Sequence, residues 1–126
     1  MIKLMDLLES FTITYTQPHF SNEWMEAKRY PEFRKLGKEK WIELAKQGKV
    51  VKLSDIKMVL SNVDLNFDSL EEPKKERFNK AFKKGIIEMP IAVKFSDDEY
   101  DLVTGNTRVA GLVKNHIDPS IWVVNL

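Results

Sequence analysis

Apolar positions recur along the chain with two different periods, and the changes between them predict a mixed fold. Ile2, Met5 and Leu8, with Leu4 and Leu7 beside them, fall at helical spacing and predict a short amphipathic helix over 2–9. Phe11-Thr12-Ile13-Thr14-Tyr15-Thr16 alternates apolar residues with threonine, as a strand does, and Pro18 ends it. Asn22 is placed to cap a helix through Trp24, Met25 and Ala27, which Tyr30-Pro31 stops because the residue before proline avoids the α region. A second helix around 38–47 gathers Trp41, Leu44 and Ala45 on one face and is closed by Gly48.

The texture changes at Lys49. Val50 to Ile56 reads as a strand and turn, followed by a polar loop through Asn62, Asp64, Asn66 and Asp68. Ser69 with Glu72 has the spacing of a capping box for a helix that buries Phe78, Ala81 and Phe82 and stops at Gly85, with Pro73 tolerated in its first turn. Ile86 to Phe95 is the strongest strand pattern, and Pro90 makes part of it an edge or an entry point. The acidic turn Ser96-Asp97-Asp98-Glu99 returns the chain into Tyr100-Asp101-Leu102-Val103 as a hairpin. A helix over 107–115 buries Val109, Ala110, Leu112 and Val113, with Gly111 permitting close packing, and Ile121-Trp122-Val123-Val124 supplies a last strand. No internal repeat is visible. The expected fold class is α+β (α/β), a small mixed sheet packed with helices.

Composition narrows the chemistry. A chain of 126 residues is long enough to bury a core without staples, and the absence of Cys excludes a thiol nucleophile, a Cys-based zinc site and thiol redox chemistry. His19 and His116 are too few and too far apart to suggest a metal cluster. No apolar run reaches membrane-spanning length, and the acids within the first nine residues make a poor signal peptide, so no membrane partner is expected and the location expected is cytoplasmic. Twenty basic against nineteen acidic residues give a net charge of +1, so no global field draws the protein to a polyanion. Locally, Arg29, Arg34 and Lys38 belong to a basic stretch before residue 50 that can meet a polyanion such as DNA, or can simply be solvated.

The candidate chemistry gathers at Val103-Thr104-Gly105-Asn106-Thr107-Arg108-Val109-Ala110, where a strand passes through a glycine into a helix. Such a junction points free backbone N–H groups and the positive end of a helix dipole at one place, and Arg108 adds a planar charged fork. A plain β-to-α connection has the same look. Trp24, Tyr30, Trp41 and Trp122 could stack on bases, although Trp41 and Trp122 lie in apolar patterns that suit a core. His116 follows the last helix, where its ring could meet the C-terminal carbonyls.

Two blocks carry a family resemblance over about residues 49–126. Gly85-Ile86-Ile87-Glu88-Met89-Pro90-Ile91-Ala92-Val93 resembles the glycine, apolar pair, proline and strand box of the ParB N-terminal and sulfiredoxin superfamily, and Tyr100 to Gly111 resembles its glycine-to-arginine box. The resemblance implies a nucleotide-binding domain over 49–126 behind a helical N-terminal extension over 1–48. It implies phosphates held by Gly105, Asn106, Thr107 and Arg108, a nucleotide (ATP or another NTP) with Mg2+, and phosphotransferase (kinase) or NTPase chemistry. Glu88 and Asp64 are then the candidate catalytic acids, and Asp68 a candidate magnesium ligand. The departures also inform. A single Arg108 stands where partition proteins carry two arginines, the missing cysteine excludes sulfiredoxin activity, and sequence-specific DNA reading through a following helix-turn-helix is not expected. Compact size without such a module would suit a phage or mobile-element protein. The alternative is a non-catalytic ParB-like module that binds DNA or a protein through the basic N-terminal helices; a nuclease finds no compact carboxylate cluster in its favour.

Overall fold

Strand β4 (Ile91–Ser96) is the centre of the molecule, flanked by β5 (Glu99–Thr104) and β6 (Ser120–Asn125), with β2 (Lys49–Lys52) beyond β6 in a four-stranded sheet of order β2-β6-β4-β5. The computed structural model describes residues 13–56, 63–97 and 99–126. The expected helix over 2–9, the start of the first strand, Asn62 and Asp98 lie outside the described residues. β4 runs antiparallel to β5 and parallel to β6, while β2 and β6 are antiparallel, so the sheet is mixed.

Period-2 alternation sorts the strand side chains onto two covered faces. Ile91, Val93, Val103 and Val124 face one way, against Phe20, Ala27, Phe33, Trp41 and Ala45. These come from three short helices and the turn before them: α1 (Trp24–Ala27), α2 (Pro31–Leu36) and α3 (Lys38–Ala45). Phe33 and Trp41 stack at 5.6 Å and are each 1% exposed, and burying a side chain such as Phe33 contributes about 1.5–3 kcal/mol. Trp122 Nε1 donates to the Ala45 carbonyl at 2.8 Å and ties the end of α3 to β6.

Ala92, Leu102, Ile121 and Val123 face the other way, against Val109 of α5 (Asn106–Lys114). Ala110 and Leu112 of α5 then meet Phe78 of α4 (Glu72–Lys84), Phe67 and Ile87, so α4 forms an outer layer over α5. A Cβ at Gly111 would lie 2.4 Å from the Phe78 ring, which sets how closely α4 and α5 approach. The helical segments before residue 48 thus share one core with the sheet.

A second, two-stranded sheet positions the site. β1 (Thr14–Thr16) pairs in parallel with β3 (Ile86–Glu88), Thr16 standing opposite Glu88. Pro90 separates β3 from β4, so the continuous strand expected over 86–95 is two strands in different sheets. The expected caps are also replaced. Glu23, not Asn22, precedes α1, and Glu71 precedes α4, neither with a side-chain cap bond. Ser69 Oγ instead donates to the Asn66 carbonyl at 2.8 Å and to Asp64 Oδ2 at 3.3 Å, so the capping box with Glu72 does not form. Pro31 stops α1 as expected but also opens α2, where its fixed φ and missing N–H suit the first turn.

Candidate functional site

Strand β5 delivers the chain to the site. Thr104 is followed by Gly105 at φ +99°, and α5 begins at Asn106. A Cβ at Gly105 would lie 2.6 Å from Pro90 Cβ and 2.9 Å from Pro90 Cα, so both the positive φ and the approach to buried Pro90 require glycine. The first bond of the helix runs from the Val109 N–H to the Gly105 carbonyl at 3.0 Å. The N–H groups of Asn106, Thr107 and Arg108 therefore have no acceptor within the helix, and they stand at the positive end of its dipole.

Arg108 Nη1 donates to the Glu88 carbonyl oxygen at 2.9 Å and lies 3.9 Å from Glu88 Oε2, with the arginine side chain 22% exposed. Burial lowers the guanidinium pKa from its ordinary value, the carboxylates of Glu88 and then Glu23 oppose this, and the charge of Arg77 lowers it further. An arginine starts so high that it stays charged at neutral pH. Glu88 Oε1 accepts the backbone N–H of His19 at 2.8 Å and sits 3.2 Å from His19 Nδ1. The β1–β3 pairing explains this contact, because it carries the chain from Thr16 past buried Pro18 to the Glu88 carboxylate. A proton on Nδ1 lets the ring donate to Oε1, and Oε2 remains for the cleft.

Glu88 and Arg108 line a cleft of about 860 Å³ that also receives Gly105, Asn106 and Thr107. Its second wall is α4, which presents Lys74, Arg77 and Ala81, and its third is the α1 region, which presents Glu23, Met25, Glu26 and Arg29. Phe78, Ile87, Leu102 and Val103 form the buried floor. Arg29 is paired with Glu26 at 3.0 Å. Neither Lys74 nor Arg77, both exposed, has an ion pair among the described residues.

The other expected site residues fall elsewhere. Asn106 lines the cleft but commits its side chain to the loop before α4: Oδ1 accepts the Asp64 N–H at 2.8 Å and Nδ2 donates to the Asp64 carbonyl at 2.9 Å. What it can offer a ligand is its backbone N–H. Asp64 turns its carboxylate to the Asn66 N–H at 2.9 Å and to Ser69, as a turn-forming residue does, and is not part of the cleft lining. Asp68 pairs with Lys114 at 2.6 Å, also outside the cleft, and Lys114 holds its carboxyl below the ordinary carboxylate range. Arg34 and Lys38 are exposed on α2 and α3, away from the cleft.

Trp41 and Trp122 pack in the core, and no tryptophan or tyrosine lines the cleft. His116 ends α5 through its backbone, at φ 61° with its N–H on the Val113 carbonyl at 3.0 Å. The sequence marks His19 only as too isolated for a metal cluster, and it gives Glu23, Lys74 and Arg77 no motif. A signal for the last two existed: Lys74, Arg77 and Ala81 recur at helical spacing beside the Phe78–Phe82 face.

The cleft's volume lies within the range of ligand pockets, about 300–1,000 Å³, and its lining sets Arg29, Lys74, Arg77 and Arg108 against Glu23, Glu26 and Glu88. Among the described residues no three His, Asp or Glu side chains could hold a metal, and Asp68 is engaged by Lys114. Among the described residues no helix is long and apolar enough to cross a membrane. Comparison of the chain with protein-family models, with curated proteins and with solved structures gives no match.

Proposed function

We propose that the chain is a nucleotide-binding, ParB/sulfiredoxin-like phosphotransferase or NTPase whose phosphates sit at the start of α5. The observation that carries this reading is the opening of that helix, with Arg108 and three N–H groups that have no acceptor among the described residues, onto a cleft whose facing wall supplies Lys74 and Arg77. In this reading the N–H groups after Gly105 and the Arg108 guanidinium neutralise phosphate charge as a phosphoryl group leaves. Glu88 Oε2 accepts the proton of the attacking hydroxyl or water. His19 and Arg108 hold the carboxylate in place from two sides.

Calorimetric titration of ATP, CTP and GTP with Mg2+ into the wild type and Arg108→Ala tests the reading. Binding by the wild type that falls at least tenfold in the variant is expected, with circular dichroism to verify that both are folded. Arg108→Lys keeps a charge but not the fork and should recover only part of the loss. A folded wild type that binds no nucleotide overturns the reading. Exposed Arg34 and Lys38, unpaired among the described residues, then favour the second reading, a DNA-binding module whose affinity falls steeply with salt.

A further inference from the structure

We infer that Lys74 and Arg77 of α4, facing the start of α5 across the cleft, form the second half of an oligophosphate clamp, so that the ligand is recognised by its chain of phosphates and not by its base. The inference rests on the nucleotide reading above and names the ligand class more narrowly.

Three observations lead to it. Lys74 and Arg77 are one helical turn apart, so both project from the same side of α4. Both are exposed and neither has an ion pair among the described residues, whereas Arg29 on the opposite wall is already matched by Glu26. Like charges also line one cleft, Arg77 on α4 and Arg108 on α5. An anion between the two walls relieves that repulsion, and one phosphate at the start of α5 leaves Lys74 and Arg77 for the next phosphates along the chain.

The lining argues against reading of the base. Among the described residues its one aromatic side chain, Phe78, is 3% exposed and is held edge-on by Phe67 at 5.4 Å, so none of these rings is open for stacking. The most exposed large apolar side chain of the described lining is Met25, 63% exposed, whose flexible thioether can cover any base without selecting among them. The carboxylate of Glu23 on that wall repels phosphate and directs the oligophosphate towards α4, while Glu26 is matched by Arg29.

The test is calorimetry on the full chain with AMP, ADP, ATP, GTP, CTP and inorganic tripolyphosphate, all in Mg2+, against wild type and the exposed double variant Lys74→Ala/Arg77→Ala. Affinity should climb from AMP to ATP, tripolyphosphate and the three nucleoside triphosphates should agree within about fivefold, and the double variant should weaken ATP by about tenfold while leaving AMP unchanged. AMP binding as tightly as ATP, an unaltered double variant, or a base preference above about tenfold overturns the clamp. The two readings fail separately. Tripolyphosphate binding without any nucleotide binding leaves the clamp and removes the nucleotide reading, nucleotide binding without the phosphate dependence does the reverse, and no binding of either removes both.

Discussion

Alanine at Gly105 should unfold the start of α5. Two costs add there. The residue sits at φ +99°, and an L side chain in left-handed backbone costs about 1–2 kcal/mol. The new Cβ would also lie 2.6 Å from Pro90 Cβ, 2.9 Å from Pro90 Cα and 3.1 Å from Arg108 Nη2. The arginine can swing away, but Pro90 is fully buried and its carbonyl accepts the Trp122 N–H at 2.8 Å, so relief must come from a shift of the helix start. Overpacking of this kind costs about 1–3 kcal/mol, which brings the expected loss to about 2–5 kcal/mol. For a chain of this size that corresponds to a fall in Tm on the order of 10 °C. Urea unfolding followed by tryptophan fluorescence reads the free energy directly. A loss below about 1 kcal/mol would refute the argument that this glycine is fixed by geometry, and with it the placement of the helix start against Pro90.

Three other substitutions probe the surroundings. Gly111→Ala places a methyl 2.4 Å from the Phe78 ring and should cost about 1–3 kcal/mol in the same urea experiment, whereas an unchanged midpoint would mean that α4 is not packed so closely on α5. Asn106→Ala removes both bonds to the Asp64 backbone and should destabilise by about 1–2 kcal/mol, with increased amide hydrogen exchange at 63–70; unaltered exchange there would count against the clamp on that loop. Lys114 lowers the Asp68 pKa, so the charged pair is present at neutral pH and is lost as pH falls through a folded value below the ordinary carboxylate range. Carbon NMR should show Asp68 titrating higher in Lys114→Met than in the wild type, and identical curves would reject the pair.

Much of the sheet and its covering helices was legible because period 2 and period 3.6 are local signals. Ile91 to Phe95, the hairpin into Val103 and the apolar face of α5 follow from spacing alone, and the α+β class follows from them. The break at Pro90 was only half legible. Proline shows that a strand is interrupted, but that β3 leaves the main sheet to pair with β1 depends on a contact across some seventy residues of chain. Pro31 carried the same ambiguity, because the residue that ends one helix can begin the next.

The site divides along similar lines. Gly105 and Arg108 stood out because their chemistry is local to one strand–helix junction. Asp68 looked available because an exposed loop acid carries no mark of its partner, and its partner Lys114 is brought by packing, whereas Asp64 is spent on a local turn with Asn66 and Ser69. His19 reaches Glu88 only through the β1–β3 pairing. Lys74 and Arg77 were hidden for another reason: α4 was read by its apolar face, and which of its basic residues look into a cleft depends on where α5 ends up beneath it.

The most direct test of the central claim is an amide NMR titration of the wild type with Mg2+ and ATP. Phosphate at the start of α5 predicts that the largest shifts fall on the N–H groups of Asn106, Thr107 and Arg108, whose donors face the ligand. Shifts confined to α2 and α3, or none at all, would contradict it.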